Sequence, residues 1–391
     1  MILIEEAFKI LKNFVKENDL EKVEILNSAG RILGEDIYSE IEMPPFDKSA
    51  MDGYAINSSD RSKKFKILET VPAGSFPGFK LKNKGECTKI MTGAPLPEGA
   101  DRVIKVEVTG ERGGFMYLKG EDRGWNVCIR GEDMKVGDIV LRKGRLIAPQ
   151  HVGIMASVGR KDVNVYKKVS VSVLSSGSEI VEPGIPLKDG HIYNSNLYSV
   201  SSQVIDSGFE LKGRVSVRDD LLNIRKNISS LLSESDVLLI TGGVSMGEFD
   251  YVPEILKDIG FDVRFHKVAI KPGKPTLFAS GMNKWIFGLP GNPVSTFVVF
   301  EVIVKPFLYL LEGHEYKPVI MKGVLTKEFT RKKNDRDLFS PVKYNQDGTI
   351  DLLEYHGSAH LRSLENANGL LKISKGVSRI PSGSEVYVRQ V

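Results

Sequence analysis

The sequence has little of what marks several protein classes. Only two of its 391 residues are cysteines, Cys87 and Cys128, which lie far apart and in no metal-binding spacing. They offer neither a disulfide framework nor a zinc site, and we expect a reducing, cytoplasmic location. No Ser-His-Asp or C-x-x-C arrangement, internal repeat or low-complexity tract is recognisable.

A strong charge excess and a membrane-spanning run are also missing. Lysine and arginine number 54 against 50 acidic residues, so the net charge is only +4. This balance indicates no nucleic-acid or membrane partner, although it suits a small anionic ligand. The N-terminus lacks the basic and apolar regions of a signal peptide. The most apolar stretch, 297–311, is interrupted by Glu301, Lys305 and Pro306, so it predicts a core helix rather than a membrane span.

The hydrophobic pattern divides the chain into four parts. An amphipathic helix at 4–15, a short helix at 27–33 and a helix at 149–158 predict a discontinuous helical domain over 1–39 and 146–168. Between them, short strand-like runs and Gly-rich turns predict an inserted β domain over 40–145. Residues 169–312 alternate apolar strands with helices, which predicts an α/β domain with a mostly parallel sheet. A small β domain follows over 313–391. The fold class is therefore multidomain α/β and β.

The segment 44–55, PPFDKSAMDGYA, has neither helical nor strand periodicity. Two prolines stiffen its start, and Asp52 precedes a glycine that permits close backbone approach. This composition indicates a rigid loop that places a carboxylate in a binding site. A tight surface turn is the alternative interpretation.

Polar residues follow four predicted strands of the α/β domain. The segments are 175–179 (SSGSE), 218–220 (RDD), 241–250 (TGGVSMGEFD) and 290–295 (PGNPVS). Parallel strands place their carboxyl ends at one edge of a sheet, where ligands of such sheets bind. Glycines there expose N–H groups to phosphate oxygens, and carboxylates beside phosphate call for a divalent cation such as Mg²⁺. Alternatively, Asp219 and Asp250 are helix N-caps and Glu179 is a solvated charge.

Three lysines stand around two prolines in 267–275, KVAIKPGKP. Ammonium groups fixed by a rigid backbone suit an oxyanion or a phosphate. A basic edge turn is the alternative. Two further rigid loops, 90–101 (IMTGAPLPEGAD) and 130–133 (RGED), lie in the inserted domain.

With these strings in order along nearly the whole chain, the sequence resembles the molybdopterin molybdenumtransferases, a family related to the E domain of gephyrin. The matching strings are PPFDKSAMDGYA, IMTGAPLPEGAD, IRGEDMKVGD, SSGSEI, TGGVSMGEFDY, IKPGKP, GLPGNPVS and ANGL. The resemblance implies an elongated helical dimerisation domain, an inserted β domain, a molybdopterin-binding α/β domain and a C-terminal β-barrel. It implies the Mg²⁺-dependent reaction of adenylyl-molybdopterin with molybdate or tungstate, which yields the metal-loaded molybdopterin and AMP.

The resemblance also implies a cytoplasmic homodimer whose site combines the inserted domain of one subunit with the α/β domain of the other. The upstream molybdopterin adenylyltransferase is a candidate partner. By motif, the residues with implied catalytic roles are Asp52, Thr92, Asp133, Glu179, Asp219, Ser245 and Asp250. Those with implied substrate-binding roles are Gly242, Gly243, Lys267, Lys271, Lys274, Pro290, Gly291, Asn292 and Pro293. Glu179, Asp219 and Asp250 are the implied metal ligands.

The chain departs from the family at Ser178, where many members have an acid, and at Asn194, where Asp is common. These departures bear on the number of metal ions rather than on the reaction class. Two other functions remain open at this point. One is a scaffold like the gephyrin E domain, and the other is the preceding adenylyltransferase, which would need neither the inserted domain nor the barrel.

Overall fold

The computed structural model describes residues 1–16, 18–243, 252–354 and 357–391. The chain forms two compact units. The first contains Met1–Gly34, Gly144–Ala148 and Asp162–Val391, and the second contains Glu35–Lys143 and Pro149–Lys161.

The second unit is built on a six-stranded sheet that packs around Tyr54, Phe65 and Met116. Its strands, in spatial order, are Arg102–Lys105, Gly53–Ile56, Glu86–Ile90, Lys64–Val71, Phe115–Leu118 and Thr109–Arg112. Two short pairs join Lys48–Ser49 to Val127–Cys128 and Ile37–Tyr38 to Ile139–Leu141, and a 3₁₀ turn spans Val106–Val108. The predicted helix at 149–158 is present as Pro149–Ser157 and belongs to this unit.

The first unit contains the predicted α/β sheet. Its strands, in spatial order, are Glu210–Val217, Ser170–Ser176, Val237–Thr241, Lys284–Leu289, Leu277–Gly281 and Asp262–Phe265. The first four are parallel and the last two antiparallel. The helices between them are Ser195–Asp206, Leu221–Glu234 and Val252–Asp258. Alternate residues face two separate cores, with Leu239 in one and Leu238 in the other. The sheet is therefore covered on both faces, as its continuous apolar strands predict.

The long helix Pro293–Leu311 follows the last parallel strand. It consists of Pro293–Val299, a π-helical stretch Phe300–Val304 and Lys305–Leu311. By length and composition it could cross a membrane, but 83% of its most apolar window is buried inside the protein. The prediction of a core helix is confirmed.

The C-terminal part of the first unit is a closed five-stranded barrel. The strands Asp337–Tyr344, Thr349–Leu352, Ile320–Leu325, Glu385–Gln390 and Gly369–Ile373 pair in that order, and the last pairs back to the first. Ile270–Lys271 adds to the barrel beside Asp337–Tyr344. A short pair, Phe329–Thr330 with Arg379–Ile380, and a 3₁₀ turn, Leu361–Leu364, complete this region. Closure confirms the expected β-barrel.

At the N-terminus, the helix Ile4–Lys12 buries Ile4, Ala7 and Leu11 in the core of the α/β sheet. The strand Leu20–Glu24 pairs antiparallel with Asp162–Tyr166. The predicted helix at 27–33 is wrong. A 3₁₀ turn covers only Ile25–Ser28, because the backbone beyond it pairs with other segments, as in the bridge of Leu33 to Val165.

Candidate active site

The parallel strands bring their carboxyl ends to one edge of the sheet. Ser176 pairs with Val217, and Thr241 pairs with both Ser175 and Leu289. The polar segments predicted to follow these strands therefore start from a common edge. Of the predicted residues, the structure describes Glu179, Asp219, Gly242, Gly243, Pro290, Gly291, Asn292 and Pro293 there.

The Asp219 carboxylate is held by the loop after Ser170–Ser176. It accepts a short hydrogen bond from the Ser176 hydroxyl and one of 3.1 Å from the Ser178 N–H. The helix cap is the next residue, since Asp220 accepts from the Asn223 N–H at 3.1 Å. The N-cap interpretation of Asp219 is therefore wrong. Asp219 fixes the loop that carries Glu179.

Gly242 brings the turn after Val237–Thr241 against that same loop. Its φ is +86°, and a Cβ at this position would lie 2.2 Å from the Ser176 carbonyl oxygen. A residue with a side chain would be strained in its backbone and would collide with a backbone atom. The glycine thus allows two strand-end loops to approach closely.

A cavity of about 400 Å³ opens at this edge. Glu179 is the one charged residue among those that line it, and Gly242, Asn292 and Pro293 also contribute. We call it the rim cavity. Its full lining is Ser175, Ser176, Glu179, Ile180, Ile192, Tyr193, Asn194, Ser195, Asn196, Thr241, Gly242, Gly291, Asn292, Pro293, Ala359 and Leu361.

A second cavity, of about 530 Å³, carries the positive charge, and we call it the basic cavity. Four cationic residues line it: Lys271, Lys274, Arg331 and Arg336. Asn292 lines both cavities. Within the described part of the chain, Lys267 lines neither of them. The predicted lysine set is therefore divided, and two barrel arginines take part in its place.

The turn between Lys271 and Lys274 is packed against the long helix. Gly273 has φ +117°, and a Cβ there would lie 2.4 Å from Val299 Cγ2. The Gly273 carbonyl accepts from the Thr276 hydroxyl at 2.7 Å. The two ammonium groups thus project from a backbone with little room to move.

The second unit holds Asp52 and Thr92 together. Both the N–H and the hydroxyl of Thr92 donate to Asp52 Oδ1, each at 2.7 Å. These bonds lower the pKa of the Asp52 carboxyl, because they stabilise its charged form. Asp52 is exposed and stays ionised well into the acid range.

Three sequence-predicted loops converge around this pair. Ser49 donates its N–H to the Ala94 carbonyl at 3.0 Å, and Arg130 donates its N–H to Asp47 Oδ1 at 2.7 Å. Asp133 donates its N–H to the Met43 carbonyl at 3.0 Å. The rigid-loop interpretation of 44–55 thus has a structural basis. The exposed Asp133 lies in the same cluster, but among the described contacts its carboxylate does not meet Asp52.

Ser245 and Asp250 lie outside the described residues. Among the residues that the structure describes, no group of three or more His, Cys, Asp and Glu side chains could hold a metal ion by itself. Of the two described candidate metal ligands, Glu179 lines the rim cavity, whereas both Asp219 oxygens accept hydrogen bonds. A metal here would thus depend on oxygens from a bound substrate.

Comparison with known proteins matches the whole length of the chain. Family models match at 2–159 (MoeA N-terminal region, domain I and II), 172–309 (probable molybdopterin binding domain) and 322–391 (MoeA C-terminal region, domain IV). A molybdopterin molybdenumtransferase of Staphylococcus aureus strain Mu50 is 36% identical over 399 residues, which cover 99% of this chain and 95% of the relative.

The chain belongs to the molybdopterin molybdenumtransferase family. The Haemophilus influenzae enzyme of that name is 32% identical, with 99% of this chain and 98% of the relative covered. A crystal structure of the molybdopterin biosynthesis protein MoeA from Pyrococcus horikoshii OT3 is 31% identical, with a TM-score of 0.86 and all of both chains covered. The fold class is confirmed. The adenylyltransferase alternative is set aside, because the match extends over the inserted domain and the barrel.

Several residues of these cavities were missed from the sequence. Arg331 and Arg336 stand in a charged stretch without a motif, so only the barrel pairing of Ile270–Lys271 reveals their position. Thr241 precedes the predicted Gly242-Gly243 pair and could have been included with it. Ser176 was quoted in its motif, but its bond to Asp219 joins residues 43 positions apart.

Proposed function

We propose that this protein inserts molybdenum into molybdopterin by reaction of adenylyl-molybdopterin with molybdate, with release of AMP. The observation that carries the proposal is the pair of adjoining cavities that share Asn292, one at the strand ends and one lined by four cations. Family membership supplies the reaction class. The cavities supply separate places for the organic substrate and for the oxyanion.

The basic cavity fits a dianionic tetrahedral oxyanion. Lys271 and Lys274 supply ammonium groups, and Arg331 and Arg336 supply guanidinium groups from the barrel. Arg331 donates to three backbone carbonyls, those of Val377, Arg336 and Ser374, so its side chain is fixed in place. Fixed cations stabilise an anion without further reorganisation. Molybdate and tungstate carry the same charge, and both are expected to bind.

The rim cavity supports the organic substrate. Backbone at Gly242 and Gly291 lies in its lining, where N–H groups can approach phosphate oxygens. In the reaction, the dithiolene sulfurs bind the metal as oxygens leave it, and the bond between the two phosphates breaks to release AMP. Cations around the phosphates stabilise the charge that moves onto the leaving group.

Mg²⁺ fits this arrangement as a partner of the substrate rather than as a resident of a protein cage. Mg²⁺ in phosphate-binding sites commonly has one or two carboxylate ligands, and the rest are waters and phosphate oxygens. Glu179 is the described carboxylate placed for this role, and Asp250 is the second candidate by resemblance. When bound, the ion would neutralise phosphate charge. Asp219 would position the Glu179 loop.

The exposed Asp52 in its loop cluster is the proposed catalytic carboxylate of the second unit, with Thr92 holding it ionised. Asp133, from the same cluster, is proposed to act beside it. We further propose that the protein works as a cytoplasmic homodimer and receives its substrate from the upstream adenylyltransferase.

The test is AMP release from adenylyl-molybdopterin with Mg²⁺, with and without molybdate or tungstate. Asp52→Asn and Glu179→Gln should each reduce oxyanion-dependent release at least ~10-fold while the fold is retained. Glu234→Gln, at an exposed carboxylate on the helix Leu221–Glu234, is the matched control and should turn over normally. Release that ignores the oxyanion would overturn the proposal. Wild-type turnover in both site variants would overturn the assigned roles.

A further inference from the structure

The rim cavity has two chemically different sides. One is polar, with Ser175, Asn196 and Thr241, while Ile180, Ala359 and three exposed apolar side chains form the other. The exposed fractions of the three are 57% for Ile192, 44% for Tyr193 and 42% for Leu361. Such side chains gain from being covered by a ligand, because burial removes apolar surface from water.

The polar side contains buried groups without partners. Among the described residues, the hydroxyl of Thr241 has no hydrogen-bond partner although the residue is only 1% exposed. Asn196 donates its Nδ2 to the Gly291 carbonyl at 2.6 Å, which leaves its buried Oδ1 unpartnered. Buried polar atoms are nearly always paired in folded proteins. A ligand that brings hydrogen-bonding groups to this side would pair both.

Charge divides the ligand between the two cavities. No lysine or arginine lines the rim cavity, whereas four cations line the basic cavity beside it. The anionic groups of a substrate therefore favour the basic cavity and the glycine turns. What remains for the interior of the rim cavity is an uncharged group with one apolar face and a polar edge.

We propose that the rim cavity binds the planar fused-ring heterocycle of the substrate, a purine or a pterin. Tyr193 and Ile192 cover a face of the ring, and flat aromatic groups stack well on such side chains. Thr241 Oγ1 and Asn196 Oδ1 read its edge, since a hydroxyl donates or accepts and an amide oxygen accepts. The proposal rests on the proposed function, whose substrate carries both ring systems.

The short strand pair Ile180–Val181 with Ile192–Tyr193 holds the covering residues in place. Asn194 anchors the end of this pair, because its side chain accepts from the Ser175 hydroxyl at 3.0 Å and from the Leu197 N–H at 3.2 Å. It also donates to Glu182 and Ser216. The wall of the cavity is therefore built into the domain.

The test measures calorimetric binding of AMP, ribose 5-phosphate and biopterin to the full chain. If the ring occupies the cavity, AMP binds more tightly than ribose 5-phosphate, or biopterin binds measurably without any phosphate. Tyr193→Ala should then weaken the ring ligand at least ~10-fold and leave ribose 5-phosphate unchanged. Tyr193→Phe should retain most of the affinity, and Tyr387→Ala, at an exposed barrel tyrosine, is the control. The two ligands distinguish a purine from a pterin.

Thr241→Val probes the polar edge with nearly constant volume. We expect it to weaken the ring ligand several-fold and to alter the preference between AMP and IMP, which differ at one ring substituent. Unchanged affinities for AMP and biopterin in a folded Tyr193→Ala variant would overturn the inference. Loss of ribose 5-phosphate binding to the same extent would do so too. Oxyanion-dependent AMP release by the wild-type protein reports on the proposed function separately.

Discussion

At the scale of single residues, neighbouring aspartates have different roles that only their contacts reveal. Asp220 caps a helix, whereas Asp219 reaches across to Ser176 and Ser178 and fixes the loop of Glu179. The sequence RDD predicts that one of them is a cap, but both are equally close to the helix start. The distinction depends on where the neighbouring strand ends.

The Asp52–Thr92 contact leads to a prediction about charge. Thr92→Val removes the hydroxyl donor and keeps the backbone N–H, so the pKa of Asp52 should rise toward its ordinary value. Carboxyl titration by NMR measures it, and AMP release should fall several-fold. Thr88→Val is the matched control, since the buried Thr88 hydroxyl has no partner among the described residues. A Thr92→Val variant with an unchanged Asp52 titration would contradict this reading.

Glu312 leads to a prediction about stability. It lies at the end of the long helix, 5% exposed, and accepts the Val169 N–H at 2.7 Å. Burial raises the pKa of its carboxyl from 4.5 to about 7. The folded state therefore holds this proton more tightly than the unfolded state, and stability is lost as pH rises from about 4.5 to 7. The loss is on the order of 3 kcal/mol.

Glu312→Gln keeps the acceptor for Val169 and removes the ionisation. The variant should unfold at a higher urea concentration than the wild type at pH 8, with a much smaller difference at pH 4.5. The exposed Glu234→Gln should show no such pH dependence. Equal shifts at both pH values would mean that Glu312 acts through packing instead of charge.

At the scale of elements, the turn 271–275 joins two parts of the first unit. Ile270–Lys271 extends the barrel, while Gly273 packs on the long helix next to the α/β sheet. The turn therefore places its lysines opposite the barrel arginines. Prolines in the sequence predict that the turn is rigid, but not what it faces.

Lys271→Ala should weaken molybdate binding at least ~10-fold, because one of four cations around the anion is removed. Calorimetric titration with molybdate measures the affinity, and the melting temperature should change little. Lys226→Ala, on an exposed face of Leu221–Glu234, is the charge-matched control. Retained affinity in Lys271→Ala would mean that the basic cavity does not bind the oxyanion.

At the scale of the whole molecule, the proposed homodimer with shared sites makes a quantitative prediction. Inactive Asp52→Asn and inactive Glu179→Gln subunits, mixed in equal amounts, should recover about a quarter of wild-type AMP release. Half of the dimers are then mixed, and both lesions fall on one of their two sites. Sedimentation must show a dimer, and labelled subunits must show exchange. A monomer, or no recovery after exchange, would exclude shared sites.

The sequence alone determined the alternation of strands and helices, the buried long helix and the rigid loops, because period, proline and glycine act over a few residues. Its ordered motifs also determined the family. Only the tertiary structure decided which of two adjacent aspartates caps a helix, that Arg331 and Arg336 join Lys271, and that Lys267 lies apart from them. Contacts between residues tens of positions apart follow from strand pairing and packing, and no local pattern encodes them.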